Sequence, residues 1–350
     1  MAREYELPSV GRETLRQIFL SSPPDFRQAR DNKYCDHRAS VKILQTPDDR
    51  FANLPDWPWP PNYTHVNAHS SVDSTQLRLH HVDTGSSRTG ETILCMHGEP
   101  SWSFLYRKMI GKFVDAGHRV VAPDLVGFGR SDKPAETSDY SYERHVDWMS
   151  QWLVANQLGN LTLVCQDWGG LIGLRLVAAM PERFARVVAA NTFLNTGEQP
   201  PSDAFMAWRK YSQETPVFNV GAIMQGGCKI KPLADEVRRA YDAPFPDESF
   251  KSGARVFPTL VPISADDPSA IANVEAWKSL RNFSKPFLTA FSDSDPVTAG
   301  GDKYFQREVA GCAGQAHTTI ANAAHFLQED AGEEFATVVN RFIASTVVKP

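Results

Sequence analysis

From residue 77 to residue 190 the chain alternates short apolar runs with longer stretches of helical spacing. Residues 77–83 (Leu-Arg-Leu-His-His-Val-Asp) alternate polar and apolar side chains and predict a half-buried strand. Residues 92–96 and 119–123 are apolar after their first positions, Thr92 and Arg119, the pattern of strands covered on both faces. Helical spacing follows over 142–158, with Leu158-Gly159-Asn160 as its stop. Residues 161–164 predict another buried strand, residues 171–180 an almost wholly apolar helix, and residues 186–190 a further strand. A β-α alternation of this kind predicts a mainly parallel sheet with helices on both faces.

Near residue 195 the pattern changes. Up to about residue 283 the periodicity predicts helices over 203–212, 233–241 and 269–280, and no strand. Strands resume at 286–291 and 318–320, and an amphipathic helix closes the chain over about 333–344. The expected organisation is therefore an extension over 1–40, an α/β core made of 41–194 and 284–350, and a helical cap over 195–283. A cap inserted after the sixth core strand would roof a site at the strand ends, where open α/β sheets bind ligands. The extension is polar and irregular, with one short helical stretch at 13–19 that Pro23-Pro24 would end. Asp56-Trp57-Pro58-Trp59-Pro60-Pro61 predicts a rigid edge or loop, because proline cannot donate in a ladder.

Composition narrows the partners. With 350 residues, 42% of them hydrophobic, and a formal net charge of -5, the chain has an ordinary globular make-up and no electrostatic footprint for nucleic acid. Its five cysteines are odd in number and widely spaced, with no Cys-x-x-Cys, which argues against a disulfide framework and a structural zinc. His80 and His81 are adjacent rather than spaced as ligands on one face, so no metal site emerges. No signal-peptide core or membrane-length apolar run is present, and a cytoplasmic setting is expected.

The chemistry centres on Cys165-Gln166-Asp167-Trp168-Gly169-Gly170, between a buried strand and an apolar helix. Strand, tight turn and helix in this order make a nucleophile elbow, and the small residues Cys165, Gly169 and Gly170 let the two elements approach. The central residue is usually serine; here it is Asp167. A carboxylate attacks esters and amides poorly, but it can displace a leaving group from saturated carbon, and the resulting alkyl ester can be hydrolysed by water. Asp167 thus points to alkyl halides or epoxides. The plainer alternative is that Asp167 only caps the following helix.

Three further segments stand in the order of a hydrolase triad. His97-Gly98-Glu99-Pro100 follows a buried strand, and a turn there would aim the Glu99 N–H at the elbow, forming an oxyanion hole with the N–H of Trp168. His325 lies between the last strand and the terminal helix. Ser292-Asp293-Ser294-Asp295-Pro296 follows the penultimate strand, and one of its aspartates could orient His325. Asp295 is favoured by its distance from the strand; Asp293 is the alternative.

Taken together, these segments resemble the haloalkane dehalogenases, in the subfamily of the Xanthobacter-type enzyme. The resemblance is carried by residues 97–109, by Gln166-Asp167-Trp168-Gly169, by residues 240–247 and by residues 325–330, and extends from about residue 41 to near the end. Residues 124–134 match too, but many hydrolases share that run. The resemblance implies an α/β-hydrolase fold with an eight-stranded, mainly parallel sheet and an inserted helical cap. It implies Asp167 as nucleophile, His325 as base and Asp295 as acid, with Trp168 and the cap residue Trp208 as halide ligands. It implies a small halogenated alkane as substrate, water as co-substrate, halide as product, and no cofactor or metal. Residues 1–40 lie outside it.

These roles are chemically consistent. An indole N–H is a donor with no lone pair to repel an anion, so two of them in a dry pocket would stabilise a departing halide. His325 would act only in the second step, taking a proton from the water that attacks the ester. An epoxide hydrolase would use the same aspartate and histidine but needs an acid for the alkoxide, for which Tyr211 and Tyr241 are candidates. A non-catalytic binder is a third reading, but no triad member is missing. Phe205, Phe245, Phe250 and Phe257 are candidates for pocket lining or for cap core.

Overall fold

The computed structural model describes residues 41–69, 75–230 and 232–346. Eight strands form one sheet: β1 (Asn62–Asn67), β2 (Gln76–Asp83), β3 (Thr92–Met96), β4 (Arg119–Pro123), β5 (Leu161–Gln166), β6 (Phe184–Ala190), β7 (Phe287–Ser292) and β8 (Thr318–Ile320). Their order is β1-β2-β4-β3-β5-β6-β7-β8. The β1–β2 and β2–β4 pairs are antiparallel and all others are parallel. Every residue of β5 and β6 is buried, which requires cover on both faces of the sheet.

Ten α-helices accompany the strands among the described residues: α1 (Arg107–Asp115), α2 (Tyr142–Ala155), α3 (Trp168–Ala179), α4 (Asp203–Glu214), α5 (Val220–Gly226), α6 (Asp235–Asp242), α7 (Ser252–Leu260), α8 (Pro268–Arg281), α9 (Gly301–Glu308) and α10 (Leu327–Ser345). Local chemistry sets several of their starts. The Ser141 hydroxyl accepts the Arg144 N–H ahead of α2, Ser202 accepts the Phe205 N–H ahead of α4, and Asp267 accepts the Ser269 N–H ahead of α8, where Pro268 takes the first helical position. Helices α1 and α10 pack together, while α3 lies between α2 and α8.

The expected strands and helices are present with modest shifts at their ends, and the departures have physical reasons. Strand β1 was not expected. It is an edge strand with a single buried residue, Val66, so no apolar alternation marks it. Helix α10 begins at residue 327 rather than 333 because a kink at Ala331 (φ −141°, ψ 38°) separates a first turn from the amphipathic run. Helix α8 falls inside the stretch read as cap, yet it packs on α3: Arg175 Nη1 donates to Asn273 Oδ1 (3.1 Å), and Trp277 Nε1 donates to the Leu194 carbonyl (2.9 Å). The helical stretch expected at 13–19 lies outside the described residues.

Sheet register explains how distant segments meet. Met96 at the end of β3 pairs with Cys165 of β5, and Gln166 pairs with Ala190 of β6, so the loop at 97–100, the elbow and residues 191–192 lie side by side. Ile320 of β8 pairs with Ser292 of β7, which brings the loops holding Asp295 and His325 together.

Helix α6 is tied down by a buried ion pair. Arg107 of α1 and Glu329 of α10 form a two-pronged contact, with side chains that are 2% and 0% exposed, and Arg107 Nη2 lies 2.8 Å from Glu329 Oε2. The Tyr241 hydroxyl of α6 donates to the same carboxylate, and Trp102 Nε1 donates to the Ala240 carbonyl (3.1 Å). Burial opposes the charge on Glu329, but Arg107 outweighs it and holds the carboxyl below its ordinary range. Glu329→Ala would leave Arg107 charged and buried without its partner, and is expected to cost about 3–5 kcal/mol. Urea unfolding at neutral pH checks this; a loss under about 1 kcal/mol would mean that the ion pair is not what secures this corner.

Candidate active site

Asp167 closes β5 and opens α3 at φ 51° and ψ −128°, a backbone region that a residue with a Cβ resists at a cost of about 1–3 kcal/mol. The end of β6 holds it there. The Asp167 N–H donates to the Asn191 carbonyl (3.0 Å), and its own carbonyl accepts the Thr192 hydroxyl (2.7 Å) and the Gly170 N–H (2.8 Å). Close approach dictates the glycine that follows: a Cβ on Gly169 would lie 2.0 Å from the Met96 carbonyl oxygen. Asp167 occupies the N-cap position of α3, yet its side chain makes no capping bond. The carboxylate turns instead to the neighbouring loops.

Its Oδ1 accepts the Glu99 N–H at 2.8 Å, and its Oδ2 lies 3.5 Å from His325 Nε2. Gly98 makes the first contact feasible, since a Cβ there would sit 2.4 Å from Asp167 Oδ1. Trp168 is the first residue of α3, so its N–H has no intrahelical acceptor. His325 Nδ1 lies 3.1 Å from Asp295 Oδ2. Asp295 also accepts the Val297 N–H (2.9 Å) and the Thr298 hydroxyl. Asp293 faces elsewhere: it accepts the N–H groups of Asn322 (2.9 Å) and Ala323 (3.3 Å) and secures the turn ahead of His325. The two aspartates that sequence reasoning left open thus have different partners, and Asp295 is the one at the imidazole.

The protonation pattern follows from burial and neighbours. Burial disfavours charge on His325, but Asp295 and Asp167 outweigh it and raise the imidazole well above its usual value. Burial likewise disfavours charge on Asp295, yet His325, Thr298 and the Val297 N–H bring it down from 3.8 to about 2. Glu99 behaves oppositely. Burial first and Asp167 second push its carboxyl well above the ordinary range, while His325 and the Trp208 indole oppose this weakly. The Glu99 carboxyl thus holds its proton more strongly than an ordinary carboxylate, and its Oε1 has no hydrogen-bond partner among the described residues.

A cavity of about 780 Å³ opens onto this group. Asp167, His325 and Trp168 line it, and α4, α5, α7 and the residue that follows α7 supply much of the remaining wall through Phe205, Trp208, Ile223, Pro258 and Val261. Trp168 is 2% exposed and is backed by the rings of Tyr142 (5.0 Å between centroids) and Phe257 (4.5 Å). Of the four candidate phenylalanines, Phe205 lines the cavity; Phe245 and Phe257 are buried in the core, and Phe250 packs against it from a partly buried position. Tyr211 lies on the lining at 42% exposure, stacked beside Trp208. Tyr241 is fully buried against Glu329 and takes no part in the lining.

Sequence reasoning missed the polar groups behind the histidine. Gln166, the last residue of β5, and Asn191, directly after β6, both donate to the His325 carbonyl, at 3.2 and 3.1 Å. The available signal was a buried amide at the last position of an apolar strand, next to the elbow.

The depressed pKa of Asp295 has a sign that can be checked. Its contribution to stability is fully present above about pH 4 and is lost as pH falls through about 2. The stability gap between the native chain and Asp295→Asn is expected to be about 2 kcal/mol at pH 6 and to shrink steadily below pH 4. Urea unfolding of both proteins from pH 6 to pH 2.5 measures it; a gap independent of pH would contradict this assignment.

Comparison with known proteins agrees with this geometry. The alpha/beta hydrolase fold family matches residues 91–332. A haloalkane dehalogenase of Psychrobacter cryohalolentis is 56% identical over 303 residues, covering 87% of this chain and 98% of the relative. A haloalkane dehalogenase of Mycolicibacterium paratuberculosis is 48% identical over 296 residues, covering 85% and 96%. Among solved structures, a tetrameric haloalkane dehalogenase of Paraglaciecola agarilytica NO2 aligns with a TM-score of 0.78 at 35% identity, covering 88% of this chain and all of the other. With an aspartate at the elbow, a histidine and a second carboxylate in line behind it, and relatives this similar over nearly their whole length, the chain belongs to the haloalkane dehalogenase family of α/β-hydrolases.

Proposed function

We propose that the chain hydrolyses carbon–halogen bonds of haloalkanes to an alcohol, a halide ion and a proton, through a covalent ester on Asp167. The observation that carries this reading is the Asp167 carboxylate itself. One oxygen is held by the Glu99 N–H, the other lies 3.5 Å from His325 Nε2, and the residue lines a largely apolar cavity with two tryptophans on its wall.

In the first step Asp167 Oδ2 attacks the halogen-bearing carbon. A carbon–oxygen bond forms, the carbon–halogen bond breaks, and the electron pair leaves with the halide. The leaving ion needs no proton, so donors without lone pairs suit it, and Trp168 and Trp208 supply indole N–H groups on the cavity wall. The step removes the negative charge of Asp167. One of the two carboxylates that raise His325 is then gone, so the imidazole gives up its proton more readily and is available as the neutral base when one is required.

In the second step water attacks the ester carbonyl carbon while His325 takes its proton and Asp295 balances the imidazolium. Oδ1 is now the carbonyl oxygen, and the Glu99 and Trp168 N–H groups receive its developing charge. Collapse of the tetrahedral species expels the alcohol, which carries the Asp167 oxygen that made the attack. The substrate is a small haloalkane and its partners are water and halide. Among the described residues no helix is long and apolar enough to cross a membrane.

An epoxide-opening reading requires an acid over the cavity, and Tyr211 is the phenol on its lining. One experiment separates the two. Halide release and acidification are followed with 1,2-dibromoethane and 1-bromobutane, beside styrene oxide, for the native chain and Asp167→Asn. Expected are halide release from the bromoalkanes and a loss of at least about a thousandfold in Asp167→Asn. Turnover of styrene oxide alone, or halide release that survives in Asp167→Asn, would overturn the proposal.

A further inference from the structure

Gln166 has no part in the steps above, yet its side chain is fully buried against the base. Its Nε2 lies 3.2 Å from the His325 carbonyl oxygen and 3.1 Å from His325 Nε2. A carbonyl oxygen can only accept, so the Gln166 atom facing it is the amide nitrogen. Turning the amide over would set Oε1 against that carbonyl. The orientation is held even though Oε1 finds no hydrogen-bond partner among the described residues. The same nitrogen therefore directs a hydrogen toward His325 Nε2, and that contact is favourable only while Nε2 bears a lone pair. In the neutral imidazole the ring proton is then on Nδ1, where Asp295 Oδ2 receives it at 3.1 Å.

We propose that Gln166 is a positioning residue that holds His325 in the neutral tautomer with Nε2 free to accept a proton, and so sets the pH range in which the ester is hydrolysed. This rests on the reading of His325 as the base. Among the described residues, the carboxyl groups of Asp167 at the elbow and Asp295 after β7 lie against the imidazole, and that of Glu99 after β3 is coupled to it electrostatically. Ionised Asp167 draws a proton onto Nε2; the Gln166 N–H opposes it. Esterification of Asp167 removes the first influence and leaves the second. When the hydrolytic water reaches Nε2, the amide keeps its bond to the His325 carbonyl, and the lone pair is already aimed. Asn191 shares that carbonyl at 3.1 Å, so the loop retains a tie to the sheet if Gln166 is replaced.

A hydrogen bond to the neutral form lowers the pKa of a base, so its removal raises it. The test compares the native chain with Gln166→Met and Gln166→Glu by rapid-quench kinetics on 1-bromobutane from pH 6 to pH 10. Bromide release, ester on Asp167 by mass spectrometry, and alcohol formation are recorded together. Both variants are expected to give a bromide burst near one equivalent, because displacement uses Asp167 and not His325. Ester hydrolysis should slow about three- to tenfold on the acid side, and its midpoint should move up by about half to one pH unit in Gln166→Met. The added carboxylate of Gln166→Glu should move it further. Slower hydrolysis with an unchanged midpoint, or no change in hydrolysis, would overturn the proposal. A native chain that forms no ester on Asp167 would instead overturn the underlying reaction, and this inference with it.

Discussion

The backbone at Asp167 is the constraint on which the site depends. A residue with a Cβ is held at φ 51°, between a strand that is buried along its whole length and a helix that starts one residue later. That turn lifts the carboxylate off the helix N-terminus, where an aspartate would ordinarily cap, and delivers it to the Glu99 N–H and the His325 ring. The glycines at 98 and 169 are consequences of the same turn, because a Cβ at either would enter space that Asp167 or the Met96 carbonyl already occupies. The strain is borne by the end of β6, through Asn191 and Thr192.

Electrostatics then allots a separate state to each acid. Asp295, hydrogen-bonded from three sides, stays ionised beside the imidazole. Glu99, buried next to another carboxylate, is pushed the opposite way and disfavours a second negative charge beside Asp167. His325 takes its high proton affinity from Asp167 as well as Asp295. In the proposed reaction the first of these influences is spent when the ester forms, which ties the appearance of a base to completion of the displacement. The cavity above is walled by apolar side chains from the inserted helices, and low polarity strengthens each of these interactions.

Much of this was legible in the chain. Strands β3 and β4 show as apolar runs after Thr92 and Arg119 because both faces are covered, and the switch to helical spacing after residue 195 marks the insertion. The elbow aspartate, His325 and the Glu99 loop could be read in order because each follows a detectable strand. Other features had no local signal. Strand β1 is an edge with one buried side chain, and α10 hides its first turn behind a kink. The assignment of α8 to the layer on α3 depends on Trp277 and Asn273 reaching residues far away in sequence. The choice between Asp293 and Asp295 rests on which carboxylate meets the imidazole, a contact made across some thirty residues. Gln166 and Asn191 were invisible for the same reason: their partner is the carbonyl of a residue on a distant loop.

The central claim is that the alkyl group passes through an ester on Asp167, and isotopic oxygen tests it most directly. With enzyme in excess over 1-bromobutane in water enriched in oxygen-18, only one turnover occurs. Because Asp167 makes the carbon–oxygen bond and water attacks the carboxyl carbon, the alcohol of that turnover should carry ordinary oxygen, and the heavy isotope should appear in the peptide containing Asp167. An alcohol bearing oxygen-18 from this first turnover, with unlabelled Asp167, would mean that water attacks the substrate carbon itself and would contradict the account.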